Sequence, residues 1–197
     1  MKKVALGLGA AALLLFLVFG FCSFVMGTFC TTCLSFHHHG GSNERSAATS
    51  LKTLSTAQAD FRANDRGGDK ISRFWRGDVA GLYALVPKGG GEAIKLIELS
   101  LAAADDRPVT DVSPFAVRGP KAAYWFRAIR HLDEDSKTPD PDRFAYCAFP
   151  DSPTSGKWIY IIDESNTIYR AQTKGRRGID VFPSKEDLKR DWRKIDG

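Results

Sequence analysis

The chain has no long run of lysine and arginine. Its 28 Lys+Arg stand against 23 Asp+Glu, and Lys2 and Lys3 account for two of the cations. Without them the balance is 26 to 23. That excludes a strongly basic nucleic-acid-binding domain, which gathers its positive charge on one face. Nucleotide-binding and hydrolase signatures are absent too. Gly89-Gly90-Gly91 follows Lys88 but lacks the Gly-Lys-Ser/Thr ending that makes a phosphate cradle. No serine sits in the Gly-x-Ser-x-Gly elbow of a hydrolase nucleophile. There is no internal repeat and no long low-complexity tract, which excludes solenoids and arrays. Cysteine is scarce, with four in 197 residues, so no disulfide framework is expected to staple a domain.

The most telling absence is local. Between Lys3 and Glu44 no Asp, Glu, Lys or Arg occurs. Within this stretch Val4 to Phe29 reads VALGLGAAALLLFLVFGFCSFVMGTF, with only Ser23 and Thr28 as polar side chains. A bilayer core of about 30 Å needs about 20 apolar residues, so the segment is long enough to span with some tilt. A secretory signal has an apolar region of about 7–15 residues and a small-x-small cleavage site. This run is longer and no such site follows it. Lipid attachment needs a small residue before the acylated cysteine, yet Cys22 follows Phe21 and Cys30 follows Phe29. A retained transmembrane anchor over residues 1–30 is therefore expected. Lys2 and Lys3 hold the N-terminus in the cytoplasm and place the rest outside the membrane, on the periplasmic side.

A flexible tether is expected over 31–45, because CTTCLSFHHHGGS ends in Gly and Ser. Cys30 and Cys33 form a CxxC, and His37, His38 and His39 follow. Such groups bind zinc or copper, or shuttle electrons, at suitable spacing. Here no βαβ pattern adjoins the CxxC and no second ligand pair follows. The reading is a juxtamembrane linker whose thiols pair or stay idle. Cys147, in the apolar string FAYCAF, reads as a buried small residue.

Residues 46–197 read as one α+β head domain, an amphipathic helix packed on a small antiparallel sheet. Ser46 to Phe61 (SAATSLKTLSTAQADF) carries Leu51, Leu54, Gln58 and Phe61 at helical spacing, with Leu51, Leu54 and Phe61 as the buried stripe. The helix is expected to end near Asn64, before Gly67-Gly68. Phe74 to Leu85 reads as a turn or strand-like segment, Ile94 to Ala104 as a second helix, and Pro108 to Pro120 as irregular. Ala122–Arg130, Phe144–Phe149 and Trp158–Ile162 are aromatic, β-branched and strand-length. Asp163-Glu164-Ser165-Asn166 turns WIYII into Thr167-Ile168-Tyr169-Arg170 as a hairpin. Ile179 to Phe182 reads as one more short strand. Ser184 is a good N-cap for a closing helix, with Glu186 and Asp187 at its positive end and Lys189 and Arg190 at its negative end.

The strings SLKTLSTAQADF, YWFRAIR, FAYCAFP and TSGKWIYIIDESNTIYRA together resemble the head domains of type IV pilin-like proteins. The likeness is to the planctomycete and acidobacterial group labelled as a domain of unknown function. In that group a helix opening "SL-T---AQ" precedes a sheet, and the last hairpin matches this chain at Ser155, Gly156, Asp163, Glu164, Ile168, Tyr169 and Arg170. The resemblance covers roughly 46–197 and implies a pilin-like head. The chain departs from type IV pilins at the peptidase junction Gly-Phe-Thr-Leu-(Ile/Val)-Glu. Its nearest string, Gly20-Phe21-Cys22-Ser23-Phe24, lacks the acid that pairs with a neighbouring subunit's terminal amine. That departure argues against polymerisation into a pilus.

Candidate chemistry is sparse. His131, Asp133, Glu134 and Asp135 form HLDED, an acid-flanked histidine suited to general-base work or to holding a cation. The plainer reading is a solvated loop running on through SKTPDPD. In Asn64-Asp65-Arg66-Gly67-Gly68-Asp69, Asp65 and Asp69 fit a calcium loop, although Arg66 and Gly67 stand where oxygen ligands belong and no Glu closes it. A helix C-terminal turn is the alternative. Gly175-Arg176-Arg177-Gly178 is a small basic turn that supplies little affinity for an anionic polymer. Trp75, Trp125, Trp158 and Trp192 read as core or core-edge residues rather than a carbohydrate platform. The expectation is a membrane-anchored, non-enzymatic envelope protein with no cofactor. Its partners are the membrane and other envelope or pilin-like proteins, not nucleic acid. The alternatives are an anchored binding module for calcium or envelope glycan, and an envelope enzyme using the acid-flanked His131.

Overall fold

Alternation with a period of two governs the second half of the chain, and the computed structural model shows what each set of side chains meets. It describes residues 40–132, 140 and 142–195. The expected anchor, the CxxC, His37–His39 and the acids Asp133, Glu134 and Asp135 lie outside the described residues. Among the described residues no helix is long and apolar enough to cross a membrane.

Five strands form one antiparallel meander: β1 Tyr124–Ile129, β2 Ala145–Pro150, β3 Trp158–Asp163, β4 Ile168–Gln172 and β5 Arg193–Ile195, hydrogen-bonded in that order. Tyr124, Phe126, Tyr146, Ala148, Tyr160, Ile162 and Ile168 point to one face. Ile129, Ala145, Cys147, Phe149, Ile159, Ile161 and Ala171 point to the other. Both faces are covered, which is why β2 is buried along its whole length. Cys147 is a fully buried free thiol.

Helix α1 (Gly40–Ala63) covers the first face, packing on β2 and β3. Ala47, Leu51, Leu54, Ala57, Gln58 and Phe61 form its buried stripe, the spacing of a helix that lays one side on a sheet. Its start corrects the expected tether. Residues 40–45 are helical because tertiary bonds hold them. The Asn43 amide donates to Ser155 O at 3.2 Å, and Glu44 Oε1 accepts from Lys157 N at 3.1 Å. The second face is closed by Ile179, Phe182, Leu188 and Trp192. Leu188 lies on the closing helix, which the sequence places well. This short helix spans Lys185–Asp191, and the Ser184 hydroxyl accepts from Asp187 N at 3.1 Å.

Between α1 and β1 the chain makes two further short helices, α2 (Gly81–Ala84) and α3 (Leu99–Ala103), so the closing helix is α4. The helix expected over 94–104 is thus confined to its second half. Ile94, Lys95 and Leu96 instead donate backbone bonds of 2.8–3.0 Å to the carbonyls of Leu85, Tyr83 and Leu82. Lys95 also has φ +46°, which an α-helix excludes. The strand expected over 179–182 is reduced to one bridge, Val181 beside Arg130. That bridge and a second, between Asp105 and Phe126, line the outer edge of β1 and shield it from edge-to-edge pairing. All four tryptophans pack against the core clusters. Trp75 lies so close to the backbone of Gly77 and Gly81 that a Cβ there would stand 2.2 or 2.4 Å from its ring.

Candidate functional site

In an up-and-down meander the odd strands run the same way, so their C-terminal ends share one side of the sheet. The residues after β1 and β3 therefore meet here. His131 follows β1, Asp163 ends β3, and Glu164 opens the β3–β4 turn. One ligand atom from each of these three residues lies within 4.8 Å of the other two.

Each is held by its own local structure. The Arg130–Val181 bridge aligns the chain, with Phe182 N donating to Arg130 O at 2.8 Å. The His131 ring then stacks on Phe182, centroids 4.8 Å apart and planes 20° from parallel. Asp163 Oδ1 accepts from Ser165 N at 3.1 Å and from the Ser165 hydroxyl at 2.6 Å, as aspartates do in turns. Asn166 supplies the left-handed residue, φ +57°, that the turn requires. Arg143, just before β2, donates to Glu164 Oε1 and lies 3.6 Å from Asp163 Oδ2.

Among the described residues, three buried atoms in this cluster make no hydrogen bond of good geometry: His131 Nδ1, His131 Nε2 and Glu164 Oε2. Burial, reinforced by Arg143, holds the His131 imidazole below the usual histidine range, although Glu164, Asp163 and the Leu132 backbone pull the other way. At neutral pH the ring is therefore uncharged and keeps a lone pair. His131 and Arg143 stand between two cavities. One, of about 360 Å³, is walled by Trp75, Arg76 and Phe144. The other, of about 600 Å³, is walled by Asp163, Tyr169, Phe182 and Leu188.

The acids that the structure brings to His131 are Asp163 and Glu164, from a distant hairpin; Asp133, Glu134 and Asp135, which the sequence set beside it, lie outside the described residues. The loop carboxylates Asp65 and Asp69 serve their own loop. Asp65 Oδ2 accepts from Lys70 N at 2.8 Å, and Asp69 Oδ1 from Ile71 N at 3.2 Å. Asp69 also pairs with Arg73 and lies 3.6 Å from Lys88.

A second charged neighbourhood was not visible in the sequence. Arg127, buried on β1, is gripped by Asp106 and Asp180, with bonds of 3.0 and 2.6 Å to Asp106 Oδ2. Beside it a cleft of about 400 Å³ has Asp78 and Asp105 among its walls. Asp105 is 1% exposed and accepts from Ala80 N and Arg107 N, each at 2.9 Å. Burial pushes its carboxyl up to about 6, and the nearby Asp78 adds to the rise. The folded state therefore holds a proton that the unfolded chain gives up near 3.8. Stability falls as pH rises from the unfolded value through the folded one, by roughly 3 kcal/mol from this group. Asp60 and Glu98, lowered by Arg66 and Lys121, act in the opposite sense but at the surface, where screening weakens them. Urea unfolding at pH 4.5, 5.5 and 7 should give a clearly smaller decline in Asp105→Asn than in the parent. Parallel declines would show that Asp105 is not the group responsible.

Comparison with models of known protein families, with curated proteins and with solved structures finds no match.

Proposed function

We propose that the chain is a membrane-anchored, non-enzymatic envelope protein whose pilin-like head lies outside the membrane and serves a structural or interaction role. The observation that carries this reading is the placement of α1. A 24-residue helix begins at Gly40, shortly after the apolar run of Val4–Phe29 ends, and lies along the middle strands of an antiparallel meander. Helix first and sheet second is the order a pilin-like head requires. Arg127, at the sheet, is answered by Asp106 and Asp180 within the domain. Such a head acts through its surface: its partners are the membrane and other envelope or pilin-like proteins. Lys2 and Lys3 keep the N-terminus in the cytoplasm.

The test is fractionation of cells making the full chain, with intact mass and protease accessibility measured on each fraction. The expected result is a chain that retains residues 1–30, stays with membranes through alkaline carbonate washing, and loses its head to protease added from the periplasmic side. A full-length chain recovered in the soluble fraction, or a head protected from that protease, would sink the proposal.

A further inference from the structure

The apolar stack and ion pairs around His131 leave one thing unexplained. Among the described residues neither imidazole nitrogen nor Glu164 Oε2 makes a hydrogen bond of good geometry, apart from the approach of the Leu132 backbone to the ring, although buried polar atoms in native proteins nearly always have a partner. Arg143 does not resolve this, because its guanidinium is bonded to the other Glu164 oxygen and approaches Asp163. The bare atoms are an imidazole lone pair and a carboxylate oxygen, both electron donors. One ligand atom from each of His131, Glu164 and a third such residue, Asp163, lies within 4.8 Å of the other two.

From this we propose that His131, Asp163 and Glu164 form a site for a zinc-like divalent cation, with a water or a further ligand drawn from the 600 Å³ cavity completing its coordination. The donor set selects the metal. One imidazole nitrogen with two carboxylate oxygens suits zinc and its neighbours, whereas calcium and magnesium take oxygen ligands. Bonds of about 2.0–2.2 Å bring ligand atoms closer together than they stand here. Glu164, at the tip of a short hairpin, can make that approach by side-chain rotation. The neighbouring contacts hold each of the three residues in place. Phe182 fixes the imidazole plane, Ser165 holds Asp163, and Arg143 holds the second oxygen of Glu164. The proposal is independent of where the head resides, and its test is made on purified protein.

Cys30, Cys33 and His37–His39 also attract zinc, so the experiment uses the full chain in detergent with those five residues replaced by Ser and Ala. The protein is stripped with chelator and titrated calorimetrically with zinc chloride, and in parallel with calcium chloride. The expected result is one zinc ion per chain and no response to calcium. Zinc affinity should fall at least tenfold in His131→Ala and in Glu164→Gln, and zinc should raise the melting temperature of the parent but not of either variant. If His131→Ala does not fold, Glu164→Gln decides. No zinc binding by the stripped parent would overturn the proposal and leave a direct His131–Glu164 hydrogen bond as the explanation. Zinc binding of unchanged affinity in the folded variants would overturn it equally.

Discussion

Gln58→Leu lowers the stability of the folded domain by roughly 3–6 kcal/mol, enough to unfold much of a protein whose total stability is about 5–15 kcal/mol. Gln58 is fully buried on the sheet-facing side of α1. Its side-chain nitrogen donates to Trp75 O at 2.7 Å and to the Tyr146 hydroxyl, and its oxygen accepts from Trp75 N at 2.9 Å. One amide thus satisfies both backbone groups of Trp75 and ties α1 to β2. Leucine fits the space but leaves two backbone groups and a phenol without partners, each worth about 1–3 kcal/mol. Burial pushes the Tyr146 phenol well above its ordinary value, so the hydroxyl keeps its proton and cannot adapt by ionising. A thermal melt should show a fall on the order of 10 °C or more. Gln58→Glu separates shape from hydrogen bonding. It keeps an acceptor for Trp75 N, and its stability should recover as pH falls and the buried acid takes up a proton. A Gln58→Leu melt within a few degrees of the parent would mean that water reaches the Trp75 backbone freely.

The position of Gln58 was legible in the sequence, but its task was not. Helical spacing puts residue 58 in line with Leu51, Leu54 and Phe61. A polar residue in such a line signals either a weak stripe or a buried bond, and only the chain crossing beneath it at Trp75 decides between them. The strands were legible for a simpler reason. Each of β1–β4 is short and carries aromatic or β-branched residues, β2 and β3 are buried almost throughout, and the Asp163–Asn166 turn marks its own hairpin. Failures came where distant partners outvote local preference. Gly40, Gly41 and Ser42 are poor helix formers, yet the bonds from Asn43 and Glu44 to the β2–β3 loop carry α1 back through them. Ile94–Leu96 has helical spacing, but its amides return to Leu82–Leu85. β5 is three residues of ordinary composition that pair because β4 offers an open edge.

The His131 cluster shows the same division. The sequence marked His131 as acid-flanked, and the meander order placed the ends of the first and third strands on one side. Only the strand order, seen in the structure, brings the acids at 163 and 164 to His131, whereas sequence distance favours Asp133–Asp135. Arg127 and its acids could not be found this way. Asp106 lies in an irregular segment, and Asp180 belongs to a single bridge.

Asp78→Ala should loosen the segment after α3, at a net loss of about 3–6 kcal/mol. The Asp78 carboxylate is 4% exposed and has four donors aimed at it. Oδ1 accepts from Gly81 N and the Thr110 hydroxyl, both at 2.9 Å, and Oδ2 accepts from Val109 N at 2.6 Å and from Thr110 N. It closes the turn that starts α2 and pins the stretch 109–110 to it. Alanine strands three amide N–H groups. Water can reach Val109, which is 90% exposed, but the Gly81 amide is buried and has no other acceptor. Some stability returns, because removing this charge relieves the neighbouring Asp105. The gain is smaller than the loss, since a like charge is one influence on Asp105 whereas the carboxylate answers four donors. Asp78→Asn is the sharper test. It preserves volume, yet its NH₂ group faces donors and finds no acceptor, so it should be nearly as damaging as alanine. Hydrogen exchange should show the Gly81, Val109 and Thr110 amides losing protection in both variants, and limited proteolysis should cut near Val109 and Val117. If asparagine behaves like the parent, the carboxylate charge and its second acceptor are dispensable, and Asp78 is a space-filler rather than the clasp between the α2 turn and residues 109–110.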